Sequence, residues 1–399
     1  MSVNTMSFEQ SAAFLTDLHK EATGQYPSIQ IADTTDFISV GTTLMQGGLD
    51  PIISALSQVL SRTIFSIRPY SQRFKDLQVS EEKWGAVVRK INFIDTALDA
   101  ADERLSLVDG SSVDQYVVKK PKVVQTNFYG ETQYQDHITI FRDQLDSALK
   151  DPAEFGRFVA GVMQNIADKL TQMREAEARS ILANMIATKA SVDTSNAINV
   201  AQAYYDETGV TLTMADLQNP TNYTEFARWL AGYMATLTDK MASRSWKYHM
   251  NITGKEIMRH TEPRYLRKYI SAQFANQINT AVASSLYNEE RVTRLLDGAT
   301  SVDFWQNIDN PLDVDCKPTY LNTTTGNVDT ALSDIHVENI IGCLFDEEAV
   351  GMTTASTWVG NSPFNAAGGY YNIYYHFTQR LWNDFTENFV LLYFGTVTP

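Results

Sequence analysis

One stretch constrains this chain more than any other: DPAEFGRFVAGVMQNIADKLTQMREAEARSILANMIA, residues 151–187. Asp151 reads as an N-cap. Pro152 suits the first helical position, where its missing N–H costs nothing, and Glu154 completes a start like a capping box. Phe155, Phe158, Val159, Val162, Ile166, Leu170 and Met173 then recur at helical spacing, continued by Ile181 and Met185. At 1.5 Å per residue, roughly thirty-five residues reach about 50 Å, well beyond the mean helix of about 11–12 residues. A rod of that length spans a whole domain.

The first forty residues mix short polar and apolar clusters and read as an arm rather than core, with a terminus that frays unless tied down. DPIISALSQVLSRTIF, residues 50–65, is the first strong helix, with Asp50 as cap and Pro51 at its first position. WGAVVRKINFI (84–94) and DQYVVKKPKVVQTNFYG (114–130) both read as extended β segments. The gap between them carries Asp95, Asp99, Asp102, Glu103 and Asp109 against Arg104 alone. Two β arms around an acidic tip predict a long protruding hairpin.

Beyond the long helix, residues 194–223 read as irregular, and TEFARWLAGYMATLTDKMAS as a helix with Thr224 as its N-cap. SWKYHMNITG reads as a strand running into a glycine turn, and residues 262–286 as another helix. Residues 300–335 are loop-rich, and ENIIGCLFDEEAVGM reads as a buried strand followed by a turn. Helices and strands mix without regular β-α alternation, so the fold class is α+β.

The closing stretch holds ten aromatic residues between Tyr370 and Phe394. At period two, Tyr371, Ile373, Tyr375, Phe377 and Leu381 fall on one side, interrupted by Gln379, and mostly polar residues fall on the other. WNDFTE breaks the pattern before NFVLLYF resumes as a short buried strand. A nucleic-acid stacking platform interleaves aromatics with Lys and Arg. Arg380 is the only such residue after Gly368, so the aromatics read as sheet and core material.

The 399 residues carry 32 Lys and Arg against 47 Asp and Glu, a formal charge of −15. That balance disfavours a grip on nucleic acid through phosphates, which needs a concentrated basic surface. Cys316 and Cys343 are too few and too far apart for a zinc site or a disulfide framework, and read as free thiols. The start shows no secretory signal, and no segment approaches the ~20 apolar residues of a membrane span.

No phosphate loop, GxGxxG, HExxH or GxSxG occurs, and none of the six histidines has another at i+3 or i+4. Asp309, Asp313 and Asp315, and the run Asp346 to Glu348, lack calcium-loop spacing and read as solvated turns. The sequence therefore offers no catalytic, cofactor-binding or metal-binding residues, and the expectation is not an enzyme.

The order of elements resembles the major capsid protein of tailed bacteriophages, the Hong Kong 97-type fold, and most of all capsid proteins of small short-tailed phages of the phi-29 kind. KPKVVQTNFYGETQYQDHITIFRDQLDSALKD carries the likeness into the long helix, and NIIGCLFDEEAVGM with GGYYNIYYHFTQRLWNDFTENFVLLYF carries it at the close. The resemblance implies an N-terminal arm and first helix over 1–77 and an extended loop over 78–135. A peripheral domain with the spine helix would occupy 136–189, an axial domain 190–345, and strands closing the body sheet 346–399. It also implies hexamers and pentamers of the chain, an icosahedral head enclosing double-stranded DNA contacted without sequence specificity, and scaffold, portal and possible decoration proteins as partners. No membrane or cofactor is implied. The location would be the virion, after assembly in the host cytoplasm.

An acidic tip (Asp99, Asp102, Glu103) and a basic run (Lys119, Lys120, Lys122) are candidates for contacts between subunits, or equally for solvated faces. Three other readings stand beside the capsid one: an encapsulin-like bacterial compartment shell, a soluble enzyme or binding protein whose residues converge only in three dimensions, and another virion component such as a portal or tail protein.

Overall fold

The computed structural model describes residues 7–46, 51, 52, 55, 73–79, 88–94, 107–113, 116, 118, 120–128, 131–148, 152–276 and 298–398. Its helices are α1 (Phe8–Thr23), α2 (Thr34–Gln46), α3 (Arg142–Ala148), α4 (Pro152–Ser191), α5 (Val200–Thr208) and α6 (Pro220–Ala242). The strands begin with β1 (Val88–Phe93), β2 (Val123–Phe128), β3 (Thr132–Phe141), β4 (Ala197–Asn199) and β5 (Leu266–Ser271). They continue with β6 (Ala299–Val302), β7 (Val314–Cys316), β8 (Thr319–Leu321), β9 (Val328–Thr330) and β10 (Ile335–Val337). The last are β11 (Ile340–Asp346), β12 (Val350–Asn361), β13 (Tyr370–Asn383), β14 (Phe389–Tyr393) and β15 (Val397–Thr398).

The chain divides into two compact units, and the 40-residue α4 runs through both, changing unit after Glu177. The first unit comprises residues 1–85, 130–177 and 352–381. Its sheet has the order β12-β13-β3, with Tyr371 opposite Ile140 and Phe377 opposite Tyr134. The inward face of β13 follows the predicted alternation: Tyr371, Ile373, Tyr375 and Phe377 are all buried, and the interrupting Gln379 is buried with them. They share a core with Phe155, Ile166 and Leu170 of α4.

That core also takes Phe14, Leu15 and Leu18 from α1 and Phe37, Val40 and Leu44 from α2. The N-terminal forty residues thus differ from the arm the sequence predicts. Ser7 caps α1 in a capping box with Gln10, and Gly24 closes it in the left-handed conformation. The apolar clusters that look scattered in sequence meet on one helix face, where Phe14 and Phe37 pack edge-on against Phe155 at 5.7 and 5.9 Å. Of the helix predicted over 50–65, only Pro51, Ile52 and Ala55 are described; Pro51 and Ile52 are helical, as is Ala55, and Ile52 and Ala55 are buried.

The second unit comprises residues 86–129, 178–351 and 382–399. Its main sheet has the order β4-β14-β11-β5-β6, with β14 and β5 antiparallel to β11 and the outer strands parallel to their neighbours. Every residue of β11 is buried, as the unbroken apolar run predicts. Leu344, Val390 and Leu392 pack with Phe226 and Leu230 of α6.

Several local readings differ from the sequence expectation. Residues 266–271 form a strand inside this sheet rather than a helix, because pairing with β11 and β6 outweighs a helical pattern. SWKYHMNITG forms no regular strand: Tyr248 takes a positive φ of 72°, which breaks the extended run. Helix α6 starts before Thr224, with Asn219 accepting from the Thr221 N–H at 3.0 Å and Pro220 at the first position. The stretch read as irregular contains β4 and α5, the latter capped by Asn199.

Candidate functional site

β1 and β2 form a two-stranded antiparallel sheet of their own, in the register Val88↔Phe128 through Phe93↔Val123. A two-stranded ribbon has too little core to stand alone in water. Its alternation is inverted relative to an ordinary surface strand. Lys90 and Asn92 are half-buried, whereas Ile91 is 60% and Phe93 66% exposed. On the partner strand Val124 is buried and Val123 is exposed. On β1, Lys90 and Asn92 thus turn toward their own unit and Ile91 and Phe93 toward solvent beside exposed Arg89, whereas on β2 the inward position opposite Asn92 is the buried, apolar Val124.

The polar face is held by charge. Lys90 Nζ donates to Asp384 Oδ2 at 2.9 Å, pairs with Glu348 Oε2 at 2.8 Å, and donates to Glu387 Oε1. Asp384 and Glu387 side chains are only 2% and 6% exposed. Arg259 completes the anchor: its Nη2 lies 3.0 Å from Glu387 Oε1, and its Nε donates to the Thr386 carbonyl at 3.0 Å. Arg259 Nη1 also donates to Asn92 Oδ1 at 3.2 Å, a second tie to β1.

The two acids sit on the tight turn between β13 and β14. Thr386 donates both its N–H, at 2.9 Å, and its hydroxyl, at 2.6 Å, to Asp384 Oδ1. Burial pushes the Glu387 carboxyl up to about 7, against the opposing pull of Lys90 and Arg259. Burial works to lower Lys90, but the charges of Asp384 and Glu387 win and raise it. The buried acids and the two cations therefore interlock, and removing one leaves an uncompensated charge inside the protein.

Farther out, the Ser111 N–H donates to the Val108 carbonyl at 2.9 Å, closing a turn with Gly110 at φ 88°. Leu107, Val108, Tyr116 and Val118 are all exposed. Of the residues the sequence marks for contact between subunits, Lys120 and Lys122 are described and exposed. Asp99, Asp102, Glu103 and Lys119 lie outside the described residues. Sequence reasoning missed Lys90, Arg259, Asp384 and Glu387. The available signal was the break WNDFTE, two acids set between apolar strands.

The acidic runs that read as solvated turns do hold turns, but Asp346 is buried and Glu348 of the same run belongs to the Lys90 anchor. Asp313 Oδ1 accepts from the Asn339 N–H at 2.9 Å, and Asp346 accepts from the Thr261 hydroxyl at 2.8 Å and the Glu348 N–H at 3.0 Å. Among the described residues no group of three or more His, Cys, Asp or Glu is placed to hold a metal ion, and no helix is long and apolar enough to cross a membrane. Cys316 and Cys343 are free thiols; burial raises both, Cys316 to about 11.

The fold is similar to that of a chain in the capsid structure of Staphylococcus phage Andhra, with a TM-score of 0.51 at 12% identity over 82% of this chain and 85% of that one. A chain in the structure of the head fiber and inner core protein gp22 of native bacteriophage P68 matches at 11% identity and a TM-score of 0.49, covering 81% of this chain and 84% of that one. No curated protein matches the sequence. A family model described as Phi29-like phage major capsid protein matches residues 15–393. With that match running over nearly the whole chain, and an α+β fold of the Hong Kong 97 type, the chain belongs to the Phi29-like phage major capsid protein family and is a structural subunit of a phage capsid.

Proposed function

We propose that copies of this chain assemble as hexamers and pentamers that close into an icosahedral head around double-stranded DNA, with the β1–β2 hairpin as the arm that reaches a neighbour. The observation that carries the reading is strand β1: Lys90 and Asn92 are pinned inward by Asp384, Glu387 and Arg259 while Ile91 and Phe93 are left to solvent. Burying an apolar side chain of that size is worth about 1.5–3 kcal/mol, so a neighbour that covers the arm gains at each of many repeats.

In this reading the extended loop spans residues 78–135, the peripheral domain 136–189 with the spine helix α4, the axial domain 190–345, and the closing strands 346–399. The formal charge of −15 supports a shell that encloses DNA without gripping it, since tight phosphate binding needs a basic surface. Scaffold, portal and decoration proteins are partners, and assembly takes place in the host cytoplasm before the subunit enters the virion. Lys120 and Lys122, with Lys119, face acids of a neighbouring copy such as Asp99, Asp102 and Glu103. The part is structural and involves no catalysis.

The test replaces Ile91 and Phe93 together by serine and follows assembly by electron microscopy and sedimentation, with and without a scaffold protein. Soluble subunits of unchanged thermal stability that form no shells support the arm. Shells formed as readily as by the parent chain overturn it.

A further inference from the structure

The outward face of the β12-β13-β3 sheet belongs to neither the hairpin nor its anchor. The alternate positions Gln133, Gln135, His137, Thr139 and Phe141 on β3, Tyr370 to Thr378 on β13 and Ser356, Trp358 and Gly360 on β12 carry no Asp, Glu, Lys or Arg; the next position along β13 is Arg380, closed into an ion pair with Glu131 at 2.6 Å. In a chain whose residues are 20% charged, that makes an uncharged surface of rings, amides and hydroxyls.

The rings are fixed in place. Trp358 stacks on His376 with centroids 3.6 Å apart and planes within 9°, and it is 56% exposed. A Cβ at Gly360 would stand 3.2 Å from the indole, so glycine there gives the ring room to lie against its strand. Alongside, His137 stacks on Tyr374 at 5.5 Å and Phe141 meets Tyr370 edge-on at 5.9 Å. Between the rings, the Thr139 hydroxyl donates to Asn372 Oδ1 at 2.7 Å and Ser356 donates to the Thr378 hydroxyl at 3.1 Å.

We propose that this face binds a neutral saccharide chain, with a sugar ring laid on the open side of Trp358 and its hydroxyls bonded to the flanking amide and hydroxyl groups. Three features select that chemistry. A sugar hydroxyl both donates and accepts, which matches Gln, Asn, Thr and Ser, each able to do the same. The apolar C–H face of a pyranose packs on an aromatic ring already held flat, so little side-chain freedom is lost on binding. An anionic or cationic ligand finds no charge among these positions, and the bordering Arg380 is already paired with Glu131; a nucleic-acid strand stacked on the same rings would lack the run of basic groups that tracks its phosphates.

The test titrates the full chain with cellohexaose, chitohexaose and mannohexaose, and in parallel with a heparin hexasaccharide and a thymidine hexanucleotide, following tryptophan fluorescence and ligand-observed NMR. The expected result is saturable binding of at least one neutral hexasaccharide with a Kd near or below about 1 mM. The Trp358→Ala variant, at an exposed site, should weaken it at least about tenfold with unchanged thermal unfolding. No neutral binding up to about 10 mM overturns the proposal, as does equal binding by Trp358→Ala. Charged probes that bind as tightly as the neutral ones also overturn it, and a purely protein partner for the face would leave all the saccharides silent.

Discussion

Lys90 donates to Asp384 at 2.9 Å across 294 positions of chain, joining the base of the β1–β2 hairpin to the turn between β13 and β14. The pair is mostly buried, with side-chain exposures of 19% and 2%. A contact of this kind does little for stability compared with an apolar pair of the same shape, yet it is costly to break from one side. Its effect is to fix which face of the hairpin is turned outward.

Lys90→Met should therefore strand Asp384 and Glu387 inside the protein and destabilise the subunit by about 3–5 kcal/mol at pH 8. Urea unfolding of the isolated subunit measures the loss, and hydrogen exchange should show β1 losing protection first. An unchanged urea midpoint with β1 still protected would contradict the anchor.

The anchor should also give the subunit a pH dependence. Glu387 has an ordinary value of 4.5 and is pushed up to about 7 in the fold by burial. Below 4.5 the carboxyl is protonated in both states. Between 4.5 and about 7 the unfolded chain has released the proton that the folded one keeps. Its contribution to stability is thus greatest at the acid end of that window and falls as pH rises through it. Urea midpoints compared with Glu387→Gln, which cannot titrate, should show the parent chain losing ground to the variant from pH 4.5 to 7. Parallel curves would remove Glu387 as the titrating group.

Gly342 lies in the middle strand β11, where an added Cβ would stand 2.5 Å from the Tyr269 carbonyl oxygen on β5. The obstacle is backbone, so relief requires the strands to part. Gly342→Ala should cost about 1–3 kcal/mol or more and lower the thermal midpoint. A variant as stable as the parent would show that β5 and β11 separate at little cost.

Tyr375 points opposite ways in energy. Its ring is buried in the core shared with α4, but its hydroxyl is buried with no hydrogen-bond partner among the described residues. Tyr375→Phe keeps the ring and deletes the stranded group, so stability should stay level or rise by about 1 kcal/mol. A loss greater than that on calorimetry would mean the hydroxyl is bonded in solution.

Elements whose burial is continuous or strictly periodic were legible from the residues. The stripe from Phe155 to Met185 makes α4, the run from Ile340 makes β11, and the alternation from Tyr371 to Phe377 makes β13 with its inward face buried as read. The likeness to a capsid family followed from their order. Elements settled by a distant partner were not legible. Residues 266–271 have a helix-compatible pattern and became a strand because β11 and β6 offer ladders on both sides.

The assembly site divides in the same way. The sequence by itself determined the two extended segments of the hairpin, because their β-branched and apolar residues favour an extended chain locally. Which face of that hairpin looks outward was decided only by tertiary structure. A period-two pattern separates Lys90 and Asn92 from Ile91 and Phe93 but says nothing about which set is inside. Ordinarily the hydrophobic effect chooses the apolar set. Here Asp384, Glu387 and Arg259, brought from the far end of the chain and from the loop after α6, hold the polar set in and leave the apolar one out. On β1 electrostatic pairing in a buried site overrode the local hydrophobic preference, while on β2 Val124 still follows it, and only the folded chain brings those charges together.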